Sequence, residues 1–144
     1  MGYVVGFVLA LVVAAFARVS GLDRDRSFYP TVLIVVASYY LLFAAMGGDP
    51  RALVGELMAM AVFVAASVAG LRYGSWLVAA GLVAHGVFDF VHGSLVSNPG
   101  VPEFWPAFCA TYDVTAGVLL ACMSRANGYL PRGFSRTFEF RALL

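Results

Sequence analysis

Five apolar stretches follow one another along this chain, with only short polar breaks between them. They cover about residues 3–19, 28–46, 52–71, 75–96 and 104–123. Each is close to the roughly 20 residues that a helix needs to cross a hydrocarbon core about 30 Å thick. Because lipid offers no hydrogen-bond partners to open peptide groups, such segments cross a membrane as helices. The sequence therefore predicts an all-α, polytopic transmembrane bundle of five helices.

The composition indicates a chain that lies almost entirely in the membrane. Hydrophobic residues make up 62% of its 144 residues and charged residues 12%, which leaves no room for a separate soluble domain. We expect residues 1–124 to form one transmembrane domain and residues 125–144 to form a basic and aromatic cytoplasmic tail, either interfacial or disordered. No Lys or Arg precedes the first stretch, so we expect it to stay in the mature protein.

The arginines predict how the bundle is oriented. The chain has no lysine, so all nine of its positive charges are arginines. In a five-span arrangement eight of them fall on one side of the membrane, and only Arg51 falls on the other. By the positive-inside rule, the N-terminus then lies outside and the C-terminus in the cytoplasm.

Ionisable residues inside the apolar stretches mark a candidate site, because such groups are costly at membrane depth. The fourth stretch carries His85, Asp89 and His92 at i, i+4 and i+7, a spacing that puts all three on one helix face. Glu56 lies on the third stretch and Asp113 on the fifth. Counting from the outer helix ends puts these five residues at depths of roughly 7 to 18 Å. We therefore expect separate helices to deliver them to one layer in the outer half of the membrane.

A buried carboxylate must be neutralised by a proton, a partner or a metal. The stretches that contain Glu56, Asp89 and Asp113 have no Lys or Arg. Histidines and a cation are therefore the remaining partners of these carboxylates. We predict a site for a divalent transition metal, namely Zn, Mn or Fe. Its predicted ligands, in one site or two, are His85, Asp89, His92, Glu56 and Asp113. The two histidines, ~10 Å apart along the axis, fit a single ion poorly. A metal-free polar pocket and structural hydrogen bonding between helices are the alternatives.

Simpler interpretations apply to other residues of the apolar stretches. Cys109 precedes Asp113 by one helical turn, and we expect it to be a small buried apolar residue, with a ligand role as the alternative. Tyr40 lies at a depth of roughly 10–12 Å, close to the candidate ligands. Trp76 and Trp105 fall at predicted helix ends, where aromatic belts form. Five helical glycines are expected to allow close helix contacts: Gly70, Gly81, Gly86, Gly93 and Gly117.

The segment from Gly81 to Ala121 resembles a known family. It contains His85-Gly-Val-Phe-Asp89-Phe-Val-His92, then Asn98-Pro99, then Phe104-Trp105-Pro106, and then Cys109 and Asp113. This order is similar to that of small bacterial polytopic membrane proteins known only as a domain of unknown function, which carry H-x-x-[FW]-D-x-x-H, an N-P turn and a later Cys and Asp. Glu56 looks like the family's glutamate on the middle helix, and Gly93 stands where members often carry a second histidine. The resemblance implies a multi-pass protein of the bacterial inner membrane and supplies no activity.

Three functions fit these residues. A metal-dependent enzyme would perform hydrolytic or redox chemistry on a small or lipid-soluble ligand, with Glu56 or Asp113 as general base; in outline it resembles seven-helix membrane hydrolases of the ceramidase type. The second function is that of a transporter-like protein with a metal-free proton or ion site. The third is an accessory subunit that binds heme or another tetrapyrrole through a histidine.

The sequence also indicates which other functions lack support and which partners we expect. A retinal Schiff base needs a lysine, and the chain has none. A net charge of +1, with arginines that border a membrane, gives no support for nucleic-acid binding. The lipid bilayer is the predicted partner, and the Gly- and Ala-rich helix faces are compatible with a homodimer.

Overall fold

The computed structural model describes residues 1–126, so most of the predicted tail, from residue 127 on, lies outside the described residues. The described part contains no strand and consists of five α-helices joined by short connections, one of them a single 3-10 turn at Leu22–Arg24. The helices are α1 Gly2–Ser20, α2 Phe28–Gly47, α3 Pro50–Tyr73, α4 Ser75–Leu95 and α5 Trp105–Ala126. All five are long and apolar enough to cross a membrane. The predicted all-α bundle of five helices, each long and apolar enough to span a membrane, is therefore confirmed for residues 1–126.

Short sequence signals set the ends of the helices. Asp49 caps α3, because its Oδ1 accepts a hydrogen bond from the Arg51 amide at 2.8 Å. Pro50 fills the first helical position, where its missing N–H leaves no hydrogen bond unmade. Gly21 and Gly48 end α1 and α2 with φ of 78° and 69°, in the left-handed region that glycine adopts without strain.

The helices pack in an order that differs from their order in the chain. Helix α1 lies on α5, α5 on α4, α4 on α3 and α3 on α2, and a smaller contact joins α2 to α4. Glycines allow the extensive contact between α4 and α5. A Cβ built on Gly86 would lie 2.8 Å from the Ala110 carbonyl oxygen, and one built on Gly117 would lie 2.8 Å from that of Ala79. The two helix backbones therefore approach more closely than any larger residue would permit.

Gly93 does not have the packing role that the sequence predicts for it. Gly70, Gly81, Gly86 and Gly117 all contact a neighbouring helix, but a Cβ on Gly93 would meet nothing within 4 Å. Gly93 is exposed near the end of α4. In the antiparallel pair, seven residues beyond Gly86 on α4 correspond to the level of the first turn of α5, which begins at Trp105, so little of α5 lies beside Gly93.

The interior of the bundle holds polar groups, and its outer faces are apolar. Large apolar side chains such as Phe16, Leu57 and Phe90 are exposed. In a bilayer these faces contact lipid, so their exposure carries no penalty. The buried polar side chains of the described part are Glu56, Ser67, His85, Asp89, His92 and Asp113. Five of these six are the residues that the sequence selects as candidate ligands.

Candidate metal centre

Helix α4 directs its three ionisable side chains into the bundle. His85, Asp89 and His92 project from one face, and each is at most 3% exposed. The helical period of 3.6 residues brings positions i, i+4 and i+7 to the same side. The shared face predicted from the sequence is therefore observed, and the partners of these side chains come from other helices.

His85, Asp89, Cys109 and Asp113 form one group, the His85 cluster. His85 Nδ1 lies 2.7 Å from Asp113 Oδ2 and 3.5 Å from Asp89 Oδ2. The Cys109 thiol donates to the same Asp113 oxygen at 3.4 Å. One potential ligand atom from each of the four residues lies within 4.8 Å of the other three. Two neighbouring helices, α4 and α5, thus bring four metal-binding side chains together in a buried space.

The carboxylates of the His85 cluster have more acceptor atoms than the cluster has donors. Both oxygens of Asp89 and the Oδ1 of Asp113 are buried and accept no hydrogen bond within residues 1–126. The imidazole and the thiol are both engaged with the other Asp113 oxygen. Buried oxygens without partners cost free energy until a proton, a donor or a cation satisfies them. The cluster is therefore incomplete as a hydrogen-bonded network. The Tyr40 hydroxyl, which lies near Asp89 and has no partner in the described part, is one donor that could complete it, and a cation is the other way.

Glu56, His92 and Asn98 form a second group, the Glu56 cluster. His92 Nε2 lies 2.7 Å from Glu56 Oε1, and Asn98 Nδ2 donates to the same oxygen at 2.9 Å. Asn98 also donates to the backbone carbonyl of Tyr40 at 3.1 Å. The Tyr40 ring stacks on the His92 ring with centroids 4.0 Å apart. This cluster therefore links α2, α3 and α4 to the turn that follows α4.

Aromatic rings separate the two clusters. The Tyr40 centroid lies 6.2 Å from that of His85, and the Phe88 centroid lies 6.0 Å from His85 and 5.4 Å from His92. The predicted ligands His85, Asp89 and Asp113 are thus brought together, whereas Glu56 and His92 form a pair of their own. The spacing of the histidines along α4, ~10 Å over seven residues, accounts for this division.

Three polar residues outside the predicted ligand set contact these clusters. Cys109 joins the His85 cluster, although the sequence favours an apolar role for it; its position one helical turn before Asp113 was the signal that the two share a face. Tyr40 lies between the clusters, as its depth along α2 allows. Asn98 has the sequence pattern of a turn residue before proline, and no sequence pattern indicates its hydrogen bond to Glu56.

The donor atoms of the His85 cluster fit a divalent transition metal. Imidazole nitrogen, carboxylate oxygen and thiolate sulfur all bind zinc, at distances of about 2.0–2.3 Å. Atoms bound at such distances to one tetrahedral ion lie ~3.3–3.8 Å from each other. The separation of His85 Nδ1 from Asp89 Oδ2, 3.5 Å, and that of Cys109 Sγ from Asp113 Oδ2, 3.4 Å, fall in this range. The 2.7 Å between His85 Nδ1 and Asp113 Oδ2 is a hydrogen bond and lies below the range. Asp113 also has its second oxygen free of partners in the described part.

A cavity of about 500 Å³ lies beside the His85 cluster, between α1, α2 and α5. Cys109 and Tyr112 form part of its wall on α5, and Val36 and Tyr39 form part of its wall on α2. The remaining lining is mostly apolar. Cys109 therefore belongs both to the cluster and to the wall of a space suited to an apolar molecule.

The fold and its interior define a class: a multi-pass helical membrane protein with histidine, carboxylate and thiol side chains buried between two of its helices. No protein-family model, curated protein or solved structure matches this chain. The similarity to the uncharacterised bacterial family therefore stays a prediction, and function is argued from the geometry of the site.

Proposed function

We propose that this membrane protein binds one divalent transition metal ion through His85, Asp89, Cys109 and Asp113. The observation that carries the proposal is the convergence of four ligand atoms within 4.8 Å. An Asp89 carboxylate that accepts no hydrogen bond from residues 1–126 supports it. A mixed set of nitrogen, oxygen and sulfur donors favours zinc or iron over manganese, which prefers oxygen ligands.

Charge balance in a medium of low dielectric constant favours a bound dication. Two ionised carboxylates buried beside a neutral imidazole would leave two uncompensated negative charges. A divalent cation cancels both carboxylate charges, and the neutral histidine adds no charge. Cys109 would bind as a thiolate after losing its proton, which leaves the site with one net negative charge instead of two. A metal-free cluster must instead hold extra protons, one shared by His85 and Asp113 and one on Asp89. The His85–Asp113 contact of 2.7 Å favours this metal-free pocket as the second candidate.

The Glu56 cluster has a structural role in this proposal. Glu56 Oε1 is already shared by His92 and Asn98, so this oxygen is occupied by hydrogen bonds. The sequence-based prediction that Glu56 and His92 are also ligands then requires a second ion. The number of ions bound by each chain distinguishes one site from two.

The proposed orientation follows from the arginines. Eight of nine lie on the side that the positive-inside rule assigns to the cytoplasm. The N-terminus is then outside, and the His85 cluster lies in the outer half of the membrane. The family resemblance makes the bacterial inner membrane the proposed location.

The proposed chemistry depends on access to the ion. A bound ion supplies Lewis-acid activation of a water or a carbonyl oxygen. Cys109 and its three neighbours would hold it, and the adjoining cavity would admit a small or lipid-soluble ligand from the bilayer. Hydrolytic or redox turnover stays a prediction, which an assay for sensitivity to chelators tests.

Measurement of the metal content of the purified protein tests the proposal. We expect wild-type protein in detergent, loaded with zinc or iron(II) and then desalted, to contain close to one ion per chain by mass spectrometry of the elements. Asp89→Asn keeps the shape of the side chain but lacks its charge, and we expect most of the metal to be lost. Glu56→Gln makes the same change at an equally buried carboxylate in the other cluster, and we expect it to keep the metal.

Two patterns of metal content would contradict the proposal. One is wild-type protein that retains no metal after loading, which would favour the metal-free pocket. The other is equal loss of metal in Asp89→Asn and Glu56→Gln. An ultraviolet-visible spectrum of the same sample tests the tetrapyrrole alternative. We expect no Soret band, since neither histidine lines the adjoining cavity.

A further inference from the structure

The opposite end of the bundle contains a larger cleft. It has a volume of about 930 Å³ and lies between the start of α2, the end of α3, the start of α4 and the end of α5. Its lining on α4 runs from Ser75 to Ala84. The cleft shares no residue with the His85 cluster, so it is a separate feature of the molecule.

The deep part of this cleft is apolar. Val78, Ala79 and Val83 line it on α4, and Gly117 and Leu120 line it on α5. The lining from residue 75 to residue 84 extends ~14 Å along the helix axis, which is about half of a hydrocarbon core of ~30 Å. A wall of this length and composition, within the span of one leaflet, is suited to contact with an acyl chain.

The mouth of the cleft carries three arginines from three segments of the chain. Arg26 precedes α2, Arg72 lies at the end of α3 and Arg125 lies near the end of α5. None of the three forms an ion pair with another residue between 1 and 126. Arg26 donates only to the Leu71 carbonyl, at 3.5 Å. Guanidinium groups gathered in this way are the side chains best suited to bind a phosphate.

The two aspartates at the mouth each accept hydrogen bonds from neighbouring residues. Asp23 Oδ2 accepts one from Arg18 at 2.9 Å, while its Oδ1 accepts none within residues 1–126. Asp25 accepts from the Ser27 amide at 2.9 Å and from the Ser27 hydroxyl at 2.8 Å. These two hydrogen bonds hold the pKa of the Asp25 carboxyl below its usual range. The mouth has three arginines, and Arg18 adds a fourth positive charge beside Asp23. The two aspartates carry two negative charges, so the net charge of the mouth is positive.

Two further donors lie in the lining of the cleft. The Tyr29 side chain is 6% exposed, and its hydroxyl makes no hydrogen bond within the described part of the chain. Helix α4 begins at Ser75 with no side-chain cap. The Leu77 amide donates to the Gly74 carbonyl, so the amides of Ser75 and Trp76 are the ones available to an anion. A buried hydroxyl without a partner costs free energy until an acceptor reaches it. Both features therefore favour an anionic group near the start of α4.

We propose that this cleft binds one anionic glycerophospholipid, with its phosphate at Arg26, Arg72 and Arg125 and an acyl chain along α4 and α5. The charge of the mouth selects an anionic headgroup, and the apolar walls select a molecule that carries a chain. In the orientation proposed above, the mouth faces the cytoplasmic leaflet, where anionic lipids attract basic residues. The inference does not depend on the metal ion.

Native mass spectrometry of the full chain in detergent tests this lipid site. The probes are phosphatidylglycerol and phosphatidylcholine with identical acyl chains. An arginine near an anionic lipid contributes about fivefold in affinity, so we expect one phosphatidylglycerol to bind at least about tenfold more tightly than phosphatidylcholine. We expect Arg72→Gln with Arg125→Gln to remove most of this preference. Both side chains are exposed, so the substitutions leave the core unchanged.

Matched variants separate the lipid site from general charge attraction. Arg51→Gln removes an arginine at the other end of the bundle, and we expect it to keep the preference. Tyr29→Phe removes only a hydroxyl, and we expect the affinity for phosphatidylglycerol to fall a few fold. Asp89→Asn should bind this lipid as the wild type does, even if the metal proposal fails.

Three outcomes would overturn the inference. The first is wild-type protein that binds phosphatidylglycerol and phosphatidylcholine equally. The second is a double arginine variant that keeps the full preference for phosphatidylglycerol. Displacement of phosphatidylglycerol by millimolar inorganic phosphate would assign the cleft to the free anion rather than to a lipid.

Discussion

Asp89 and Glu56 are equally buried carboxylates with different surroundings. Glu56 Oε1 is contacted by His92 and Asn98 at hydrogen-bond distance, and only its Oε2 has no partner in the described part. Neither oxygen of Asp89 accepts a hydrogen bond from residues 1–126, although His85 Nδ1 lies 3.5 Å from one of them. Removing a charge from water costs several kcal/mol unless a partner compensates it. Asp89 therefore needs a proton or a cation more than Glu56 does. This contrast is the reason to assign the ion to the His85 cluster.

Asn98 is predicted to stabilise the bundle through its two amide hydrogens. They bond to Glu56 Oε1 at 2.9 Å and to the Tyr40 carbonyl at 3.1 Å. Asn98→Ala removes both bonds and also the one that Asn98 Oδ1 accepts from the Gly100 amide at 3.2 Å, and we expect the free energy of unfolding to fall by about 1–3 kcal/mol. Asn98→Asp has the same shape but sets a carboxylate against Glu56, so we expect a larger loss. Thermal unfolding in detergent at alkaline pH measures both variants, and an Asp variant as stable as the wild type would contradict this role.

Part of the residue pairing can be predicted from helix geometry. The rise per residue puts Glu56 and His92 both at roughly 7 Å from the outer surface, and Asp113 and His85 at roughly 15 and 18 Å. These depths match the two observed pairs. The role of the Cys109 thiol depends on how α5 is rotated against α4, which the sequence does not contain. Asn98 lies in a turn, where no periodicity predicts the direction of a side chain.

At the scale of elements, hydrophobic length and turn residues predict the helices well. The sequence predicts α2 at 28–46, and the structure has it at Phe28–Gly47. The sequence predicts α3 at 52–71, and this helix extends over Pro50–Tyr73. The extension at the start of α3 follows from the Asp49 cap. The packing order of the helices could not be predicted, because helices that are apolar on all sides carry no single stripe that selects a neighbour.

Gly86 and Gly93 provide a matched pair of substitutions on one face of α4. A methyl group on Gly86 would lie 2.7 Å from Val114 Cγ2 and 2.8 Å from the Ala110 carbonyl oxygen, while one on Gly93 would meet nothing within 4 Å. We expect Gly86→Ala to lower the free energy of unfolding by about 1–3 kcal/mol, as overpacking does. Gly93→Ala should leave it unchanged or raise it by up to about 1 kcal/mol, because alanine favours a helix.

Thermal unfolding of the two glycine variants in the same detergent compares them directly. Equal stability of Gly86→Ala and Gly93→Ala would contradict the close approach of α4 and α5. Destabilisation by Gly93→Ala alone would show that another surface covers the end of α4.

At the scale of the whole molecule, two features lie toward opposite ends of the bundle. The His85 cluster lies in the half of the bundle that contains the end of α4. The arginine-rimmed cleft lies at the start of α4. A dication would complete the first and an anionic lipid would complete the second. Only the distribution of the arginines predicts which end faces the cytoplasm.

Reporter fusions test the predicted orientation. Green fluorescent protein fused to the C-terminus should fluoresce in a bacterial host, and alkaline phosphatase at the same place should be inactive, because its disulfides form only outside the cytoplasm. As a control, phosphatase fused after residue 100, in the turn between α4 and α5, should be active. The reverse pattern would place the His85 cluster in the inner half of the membrane.

X-ray absorption spectroscopy of the zinc-loaded protein tests the metal proposal most directly, because it reports the atoms bound to the ion. We expect one sulfur at ~2.3 Å together with nitrogen and oxygen ligands at about 2.0–2.1 Å. The two cysteines assign that sulfur, since Cys109 is buried and Cys122 is exposed. The sulfur signal should be lost in Cys109→Ser and kept in Cys122→Ser. A zinc shell without sulfur in the wild type, or one that keeps its sulfur in Cys109→Ser, would contradict a metal centre at His85, Asp89, Cys109 and Asp113.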